Sequence, residues 1–249
     1  MKIGTVIRLL VFVLLIAFLI TPQSFAFVFQ PLTRDGQPAI YTQNSLLNLT
    51  LNHLAIVALA TVASSIVAIG LAILVTRPAG REFLPLSRTI SNVGQTFPPV
   101  AVLALAVPIL GFGTAPTLVA LFLYGLLPIF ENALTGLTTI SPEVEDSARA
   151  TGMTETQRLL QIELPIVLPV ILAGVRLSVV ISIGTATIGS TVAASTLGEA
   201  IISGLINSNL AFVLQGGLIV AVLAVLVSDA FGVLERWAVR RSGQLPARA

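Results

Sequence analysis

Few side chains in this 249-residue sequence could do covalent or metal chemistry. His53 is the only histidine and cysteine is absent, which excludes histidine clusters, thiolate metal sites, disulfides and cysteine nucleophiles. Lys2 is the only lysine, and no stretch follows the phosphate-cradling pattern Gly-x4-Gly-Lys-Ser/Thr. The Gly-x-Ser-x-Gly nucleophile turn is missing as well. No catalytic residue, bound cofactor or metal site is therefore expected. The polar residues that remain form a charged cluster between residues 141 and 165 and isolated groups inside long apolar runs.

Those runs dominate the chain. Hydrophobic residues make up 55% of it and charged residues only 10%, with a mean hydropathy of +0.99. A soluble domain carries about a quarter charged residues, so a soluble enzyme or nucleic-acid binder is excluded and an all-α polytopic membrane protein is expected. The net charge of +2 says little about partners, because basic residues flank membrane spans in any case. A helix needs ~20 mostly apolar residues to cross the hydrocarbon layer. Six windows qualify, at about 6–26, 52–75, 93–112, 116–136, 166–190 and 211–234.

Arginine and lysine are retained on the cytoplasmic side of such proteins. With both termini cytoplasmic, Lys2, Arg8, Arg77, Arg81, Arg88, Arg149, Arg158, Arg236, Arg240, Arg241 and Arg248 all fall inside, Arg34 falls outside and Arg176 lies within a span. The first window, with Lys2 and Arg8 before it and Ser24-Phe25-Ala26 after it, also has the outline of a cleavable signal peptide. Its apolar character continues through Phe27, Val28 and Phe29, which favours retention as a span. Residues 30–50, with Pro31, Asp35-Gly36 and Pro38, read as an external surface loop. Neither repeats nor low-complexity tracts divide the chain, so a single membrane domain, 1–249, is expected.

Polar positions inside the spans are candidates for a solute pathway, since an unpaired polar group facing lipid is costly. The richest run is Ser182 to Ser195, with Thr185, Thr187, Ser190 and Thr191; the same small residues would also let helices approach closely. Asn92, Gln95 and Thr96 beside Pro98-Pro99 fit either a broken helix lining a cavity or a plain loop-to-helix junction. Tyr124 fits a cation-π contact or a packed core position. Glu131, Arg176 and Asp229 lie toward the cytoplasmic ends of spans, where pairing or snorkelling accounts for them more simply than ion coupling. His53 is expected at an interface.

The cluster at 141–165 carries five of the eleven acidic residues. Ser141 can cap a helix whose first turn holds Pro142, Glu143 and Glu145, acids placed well against the positive end of the helix dipole. Gly152 can take the left-handed conformation that ends it. Thr154 and Gln157 have capping-box spacing for a second helix, which Pro165 is expected to terminate. On these signals alone, a solvated connector and a rigid helix pair are both open.

This stretch resembles the cytoplasmic signature of the inner-membrane permease subunits of ABC importers: Glu-Ala-Ala, three residues, Gly, nine residues, Ile, one residue, Leu-Pro. Asp146-Ser147-Ala148, Gly152, Ile162 and Leu164-Pro165 match its spacing throughout, with Asp for Glu and Ser for Ala as the departures. The resemblance extends over about residues 50–235 to the branch that imports glycine betaine, choline and related quaternary amines. It is carried by Gly94-Gln-Thr-Phe-Pro-Pro99, Gly111-Phe-Gly113, the run 120–128, Leu164 to Pro169 with Ala173 to Arg176, Ile183 to Thr187, and Leu197 to Leu205.

What the resemblance implies is a type I importer-like permease fold in a bacterial inner membrane, with Asp146, Ser147, Ala148, Gly152, Ile162, Leu164 and Pro165 forming a coupling-helix loop. It further implies a separate cytoplasmic ATPase that uses ATP, a second permease (a copy of this chain or a homologue), and a periplasmic or lipid-anchored substrate-binding protein. Membrane lipid is the remaining partner, and nucleic acid is not one. A permease for amino acids or another small solute, or an ion-coupled secondary transporter, are the alternative readings. Gln95, Thr96, Tyr124, Thr185, Thr187 and Ser190 are the pathway candidates.

Overall fold

The computed structural model describes residues 3–34 and 36–242. Lys2, Asp35 and Arg248, which entered the charge and turn readings, lie outside the described residues. The described chain is helical, with α1 Ile3–Ile20, α2 Ala26–Phe29, α3 Leu46–Thr76, α4 Leu84–Thr96, α5 Pro99–Leu110, α6 Thr114–Thr138, α7 Pro142–Ala150, α8 Glu155–Arg158, α9 Leu164–Thr185, α10 Gly198–Ile206 and α11 Leu210–Arg241. Four stretches are long and apolar enough to cross a membrane: Leu46–Thr76, Thr114–Thr138, Glu155–Val192 and Leu210–Arg241. Two bent pairs, Val6–Ile20 with Pro22–Leu32 and Pro78–Thr96 with Pro99–Leu110, bring the number to six if each is one span.

Both bends have local causes. The first pair turns by 115°, where Thr21 precedes Pro22 and is pushed out of the helical region by the proline ring. Phe18 then packs edge-on against Phe25 at 5.3 Å and stacks on Phe29 at 5.5 Å, holding the returning segment. The apolar window 6–26 is thus a helix to Ile20 followed by a fold-back. The second pair turns by 97° at Phe97-Pro98-Pro99, where two prolines withhold backbone donors. The window 93–112 is correspondingly divided between the end of α4 and the whole of α5.

The chain forms two compact units. The first comprises residues Met1–Ala60, Phe97–Leu121 and Val180–Val227, and the second Thr61–Thr96, Phe122–Val179 and Ser228–Ala249.

In the second unit, Ala68, Ala72, Val75, Leu126, Ile129, Phe130, Ala133, Leu134, Val167 and Ile171 form one buried apolar cluster. Small residues set the close approach of its helices: Gly125 faces Ser64 and Ser178, and Gly174 faces Asn132 and the Pro128 carbonyl. Pro128 sits inside α6, and the Asn132 amide donates to its carbonyl at 2.8 Å.

In the first unit, residues 39–41, inside the segment read as a surface loop, are buried, while Pro38, Thr42 and Gln43 are exposed. Gln215 takes the Tyr41 backbone N–H on its side-chain oxygen at 3.0 Å and donates to the Ala39 carbonyl at 2.7 Å. The Asn209 amide donates to Pro38 at 3.0 Å. The buried Tyr41 N–H and Ala39 carbonyl thereby gain the partners that burial demands, both from one side chain about 170 positions away.

Candidate functional site

The 141–165 segment folds from its own signals, with two departures. Helix α7 ends in a left-handed turn at Gly152, φ +80°. The Gly152 N–H bonds the Arg149 carbonyl at 2.9 Å and the Met153 N–H the Ala148 carbonyl at 3.3 Å, the paired bonds of a Schellman cap. Thr154 and Gln157 then form a reciprocal capping box at 2.9 and 3.2 Å. The first departure is at Ser141, which stands at the N-cap but makes no side-chain cap bond. The Glu143 carboxyl is held below the usual carboxylate range by its own backbone amide and by the Ser141 side chain, so the acid engages the orphan donor in place of the hydroxyl.

The second departure is at Pro165, which does not terminate the second helix. Helix α8 runs through a π turn, Leu159–Glu163, directly into α9. The wider turn absorbs a proline whose missing N–H and ring would break a regular ladder. The segment is therefore one short helix and the leading end of a 38-residue helical run, Glu155–Val192. Ser147, Ala148 and Ile162 line one apolar hollow of about 410 Å³ with Val144 and Met153. Asp146, Gly152 and Pro165 are exposed and Leu164 is half-buried.

The π turn also brings Arg158 and Glu163, five residues apart, to the same side. Arg158 Nε donates to Glu163 Oε1 at 2.8 Å, and Arg77 Nη1 donates to the same oxygen at 3.1 Å while its Nη2 pairs with Oε2. Glu163 is only 2% exposed, so its charge is held by two guanidinium groups away from water. Sequence reasoning passed over this triad because Glu163 occupies the unspecified position between Ile162 and Leu164. An acid at the mouth of an apolar span, with arginines at 77 and 158, was the available signal.

The pathway candidates fall into two groups. In the second unit, Gln95 Nε2 donates to the Tyr124 carbonyl at 3.1 Å, and Gly94 abuts the Leu123 and Tyr124 backbone. Gln95 and Thr96 are exposed at the α4–α5 bend, and the Tyr124 side chain is buried. In the first unit, Thr185, Thr187 and Ser190 lie where α9 gives way to a 3-10 segment, Ala186–Val192, that ends at Ala193 with φ +64°. Ser190 and Thr196 hydroxyls share a 2.8 Å bond, and Thr196 donates to the Ala186 carbonyl at 3.0 Å. Thr187 donates to Gly184 at 2.7 Å. Ser190 and Thr196 thus hold the break closed, and Gly189 lets it pack on Thr117.

Gly198 restarts the helix there with no space for a side chain, since a Cβ would overlap the Thr187 backbone carbonyl. Gly198→Ala should cost at least the ~1–3 kcal/mol typical of overpacking. In a fluorescence size-exclusion assay we expect its folded, monodisperse peak to fall well below that of the unaltered chain; an equal peak would contradict the contact.

His53 is fully buried. Its Nε2 lies 2.9 Å from the Ile183 carbonyl and its Nδ1 accepts from the Leu197 N–H at 3.4 Å, which assigns a neutral ring protonated on Nε2. It bridges α3, the end of α9 and the segment before α10. His53→Leu leaves both backbone groups without it, at ~1–3 kcal/mol for a buried orphan. Thermal melting of the purified variant should show a clear drop in Tm, and an unchanged Tm would count against the bridge.

Glu131 and Arg176 are paired, with Arg88 at 3.2 Å and Glu235 at 3.3 Å respectively. Among the described residues no three His, Asp or Glu side chains gather as a metal site requires.

Solved ABC transporter structures share this fold. A chain of the methionine ABC transporter MetNI, solved in inward-facing conformations, superposes with a TM-score of 0.70 at 21% identity over 78% of this chain and 95% of its own. An amino acid ABC transporter crystallised with histidines gives 0.60 at 16% over 78% and 92%. The architecture is that of a type I ABC importer permease. Residues 68–240 match the family of binding-protein-dependent transport system inner membrane components, and the chain belongs to that family. Such a chain is a multi-pass membrane component of a transporter and not itself catalytic.

Among curated relatives, the osmoprotectant import permease protein OsmY of Salmonella typhimurium is 40% identical over 74% of this chain and 78% of its own. The choline transport system permease protein OpuBB of Bacillus subtilis is 35% identical over 77% and 87%. The glycine betaine/carnitine/choline permease protein OpuCB of the same organism is 35% identical over the same shares.

Proposed function

We propose that this chain is the permease subunit of an ATP-driven importer for osmoprotectant quaternary amines such as glycine betaine and choline. The observation that carries the substrate class is its 35–40% identity, across three-quarters of the chain, to the osmoprotectant permease OsmY and to the choline and glycine betaine/carnitine/choline permeases OpuBB and OpuCB. The amino-acid transporters that share the fold are too distant, at 16–21% identity, to favour their own substrates.

In this reading the whole chain is one permease domain in the bacterial inner membrane with both termini cytoplasmic. It pairs with a second copy or a homologous permease, and a separate ATPase drives it. A substrate-binding protein delivers solute from outside. The 141–165 segment docks in the ATPase through α7, which carries Asp146, Ser147 and Ala148, and Ile162 and Leu164-Pro165 join that helix to the span. What supports the role is rigidity: Schellman cap, capping box and π turn leave no slack between α7 and the 38-residue run. The two helix breaks, with Gln95, Thr96 and Tyr124 at one and Thr185, Thr187 and Ser190 at the other, are the proposed lining of the pathway.

The test is uptake of labelled glycine betaine and choline into vesicles reconstituted with the chain and its partner subunits. Uptake should require ATP hydrolysis. Uptake that follows an ion gradient and ignores ATP would overturn the importer reading, and ATP-driven uptake of amino acids alone would overturn the substrate.

A further inference from the structure

The first unit holds an open hollow of about 260 Å³, lined by Gln43, Ser190, Glu199, Ile202, Ser203, Ile206 and Asn207. It is somewhat smaller than the ~300–1,000 Å³ of a drug-sized site. Glu199 is the one charged side chain in its lining, and no lysine or arginine opposes it.

The carboxylate is well anchored. Tyr41 donates its hydroxyl to Glu199 Oε1 at 2.7 Å. Tyr41 is itself pinned by Gln215 through its backbone N–H and by edge-on packing against Phe212 at 5.4 Å. Burial, and then the bond to Glu199, push the Tyr41 phenol above its usual range, so it stays a donor. Opposite, Ser203 donates to Gln43 at 3.2 Å, which ties α10 to the 37–43 segment.

The lining chemistry selects the kind of cation. A hard metal ion takes six or more oxygen ligands from several carboxylates and carbonyls, and a primary ammonium needs converging acceptors. The other polar groups of the lining are bonded among themselves or to the chain, Ser203 to Gln43, Asn207 to the Ser203 carbonyl and Ser190 to Thr196, which leaves one carboxylate beside the apolar side chains of Ile202 and Ile206. Such a pairing suits a charged group that donates no hydrogen bonds and carries methyl groups on its surface. We propose that Glu199, positioned by Tyr41, forms a low-affinity site for the quaternary ammonium head of a net-cationic solute, and that it favours choline over zwitterionic glycine betaine, whose own carboxylate it repels.

This rests on the proposed substrate class and orientation, which place α10 and residues 37–43 on the outer side, where a binding protein releases solute. The absence of an aromatic cage from the lining fits a transit site, since methylated ammonium is held tightly over aromatic faces.

The test is ligand-observed NMR of choline and glycine betaine against the full-length chain in phosphatidylethanolamine/phosphatidylglycerol nanodiscs, which contain no choline headgroup. Glu199→Gln keeps an acceptor for Tyr41 and removes the charge. Choline binding should weaken about fivefold, the scale of one partly exposed ion pair, with glycine betaine unchanged or improved and Glu199→Asp restoring choline. Choline binding unaffected by Glu199→Gln, undetectable in the unaltered chain, or lost equally in Glu199→Asp would overturn the site. The importer reading fails by a different result, in ATP-driven uptake, so the two failures are distinguishable.

Discussion

Gly152→Pro is expected to abolish ATP-driven uptake while the protein still inserts in the membrane. The residue sits at φ +80°, whereas proline fixes φ near −65°, so the chain would have to leave α7 in another direction. Proline would also delete the 2.9 Å bond from the Gly152 N–H to Arg149. The Thr154–Gln157 box begins two residues later and sets where α8 starts, so the error passes directly into the Glu155–Val192 run. Gly152→Ala keeps the N–H and faces open space; it meets only the left-handed penalty of ~1–2 kcal/mol and should keep much of the uptake. Comparing uptake with the amount of protein in the membrane fraction separates the outcomes. Normal uptake by the proline variant would remove the basis for the coupling role.

The local parts of this turn were legible because each is written in adjacent residues. A Thr three positions before a Gln and a Gly after an acidic-start helix specify their geometry whatever surrounds them. The six apolar windows were legible for a related reason, since hydropathy over ~20 residues is a property of the segment. Continuity within a window is another matter. Hydropathy averaged over the window 93–112 does not register the 97° bend at its prolines. Pro165 misled in the opposite sense: a π turn, which no propensity scale anticipates, let the helix continue.

Long-range partners hid the rest. Nothing near Ala39–Tyr41 indicates burial, because the group that satisfies it is Gln215. Glu199 read as part of a family-like run and not as a binding group, since Tyr41 stands 158 positions away. His53 and the Ser190–Thr196 pair show the same limit: a polar residue inside a span can line a pathway or fasten a helix break, and only the positions of Ile183, Leu197 and Ala186 decide which bonds it makes.

Glu163→Ala should be the most destabilising single change in the second unit. The substitution leaves Arg77 and Arg158 facing each other without a counter-charge, and Arg158 is itself buried. Breaking a buried ion pair from one side costs ~3–5 kcal/mol, because the surviving charge stays desolvated; here two charges survive. Glu163→Gln separates charge from shape. It retains an acceptor for Arg158 Nε but cannot neutralise either guanidinium, and should lie between the alanine variant and the unaltered chain.

Removing a charge on both sides, in Arg77→Met with Glu163→Gln, should recover part of the loss, since one guanidinium then remains in place of two. Thermal melting of the purified variants gives the order directly: unaltered, then the double variant, then Gln, then Ala. ATP-driven uptake adds a second readout. Arg77 closes α3 and Glu163 lies in the π turn that feeds α9, so the triad ties the loop's root to the span behind it. A double variant that regains stability but not uptake would mean that the ion pairs themselves carry the stroke. Recovery of both would mean that their role is to hold the root of the loop in place.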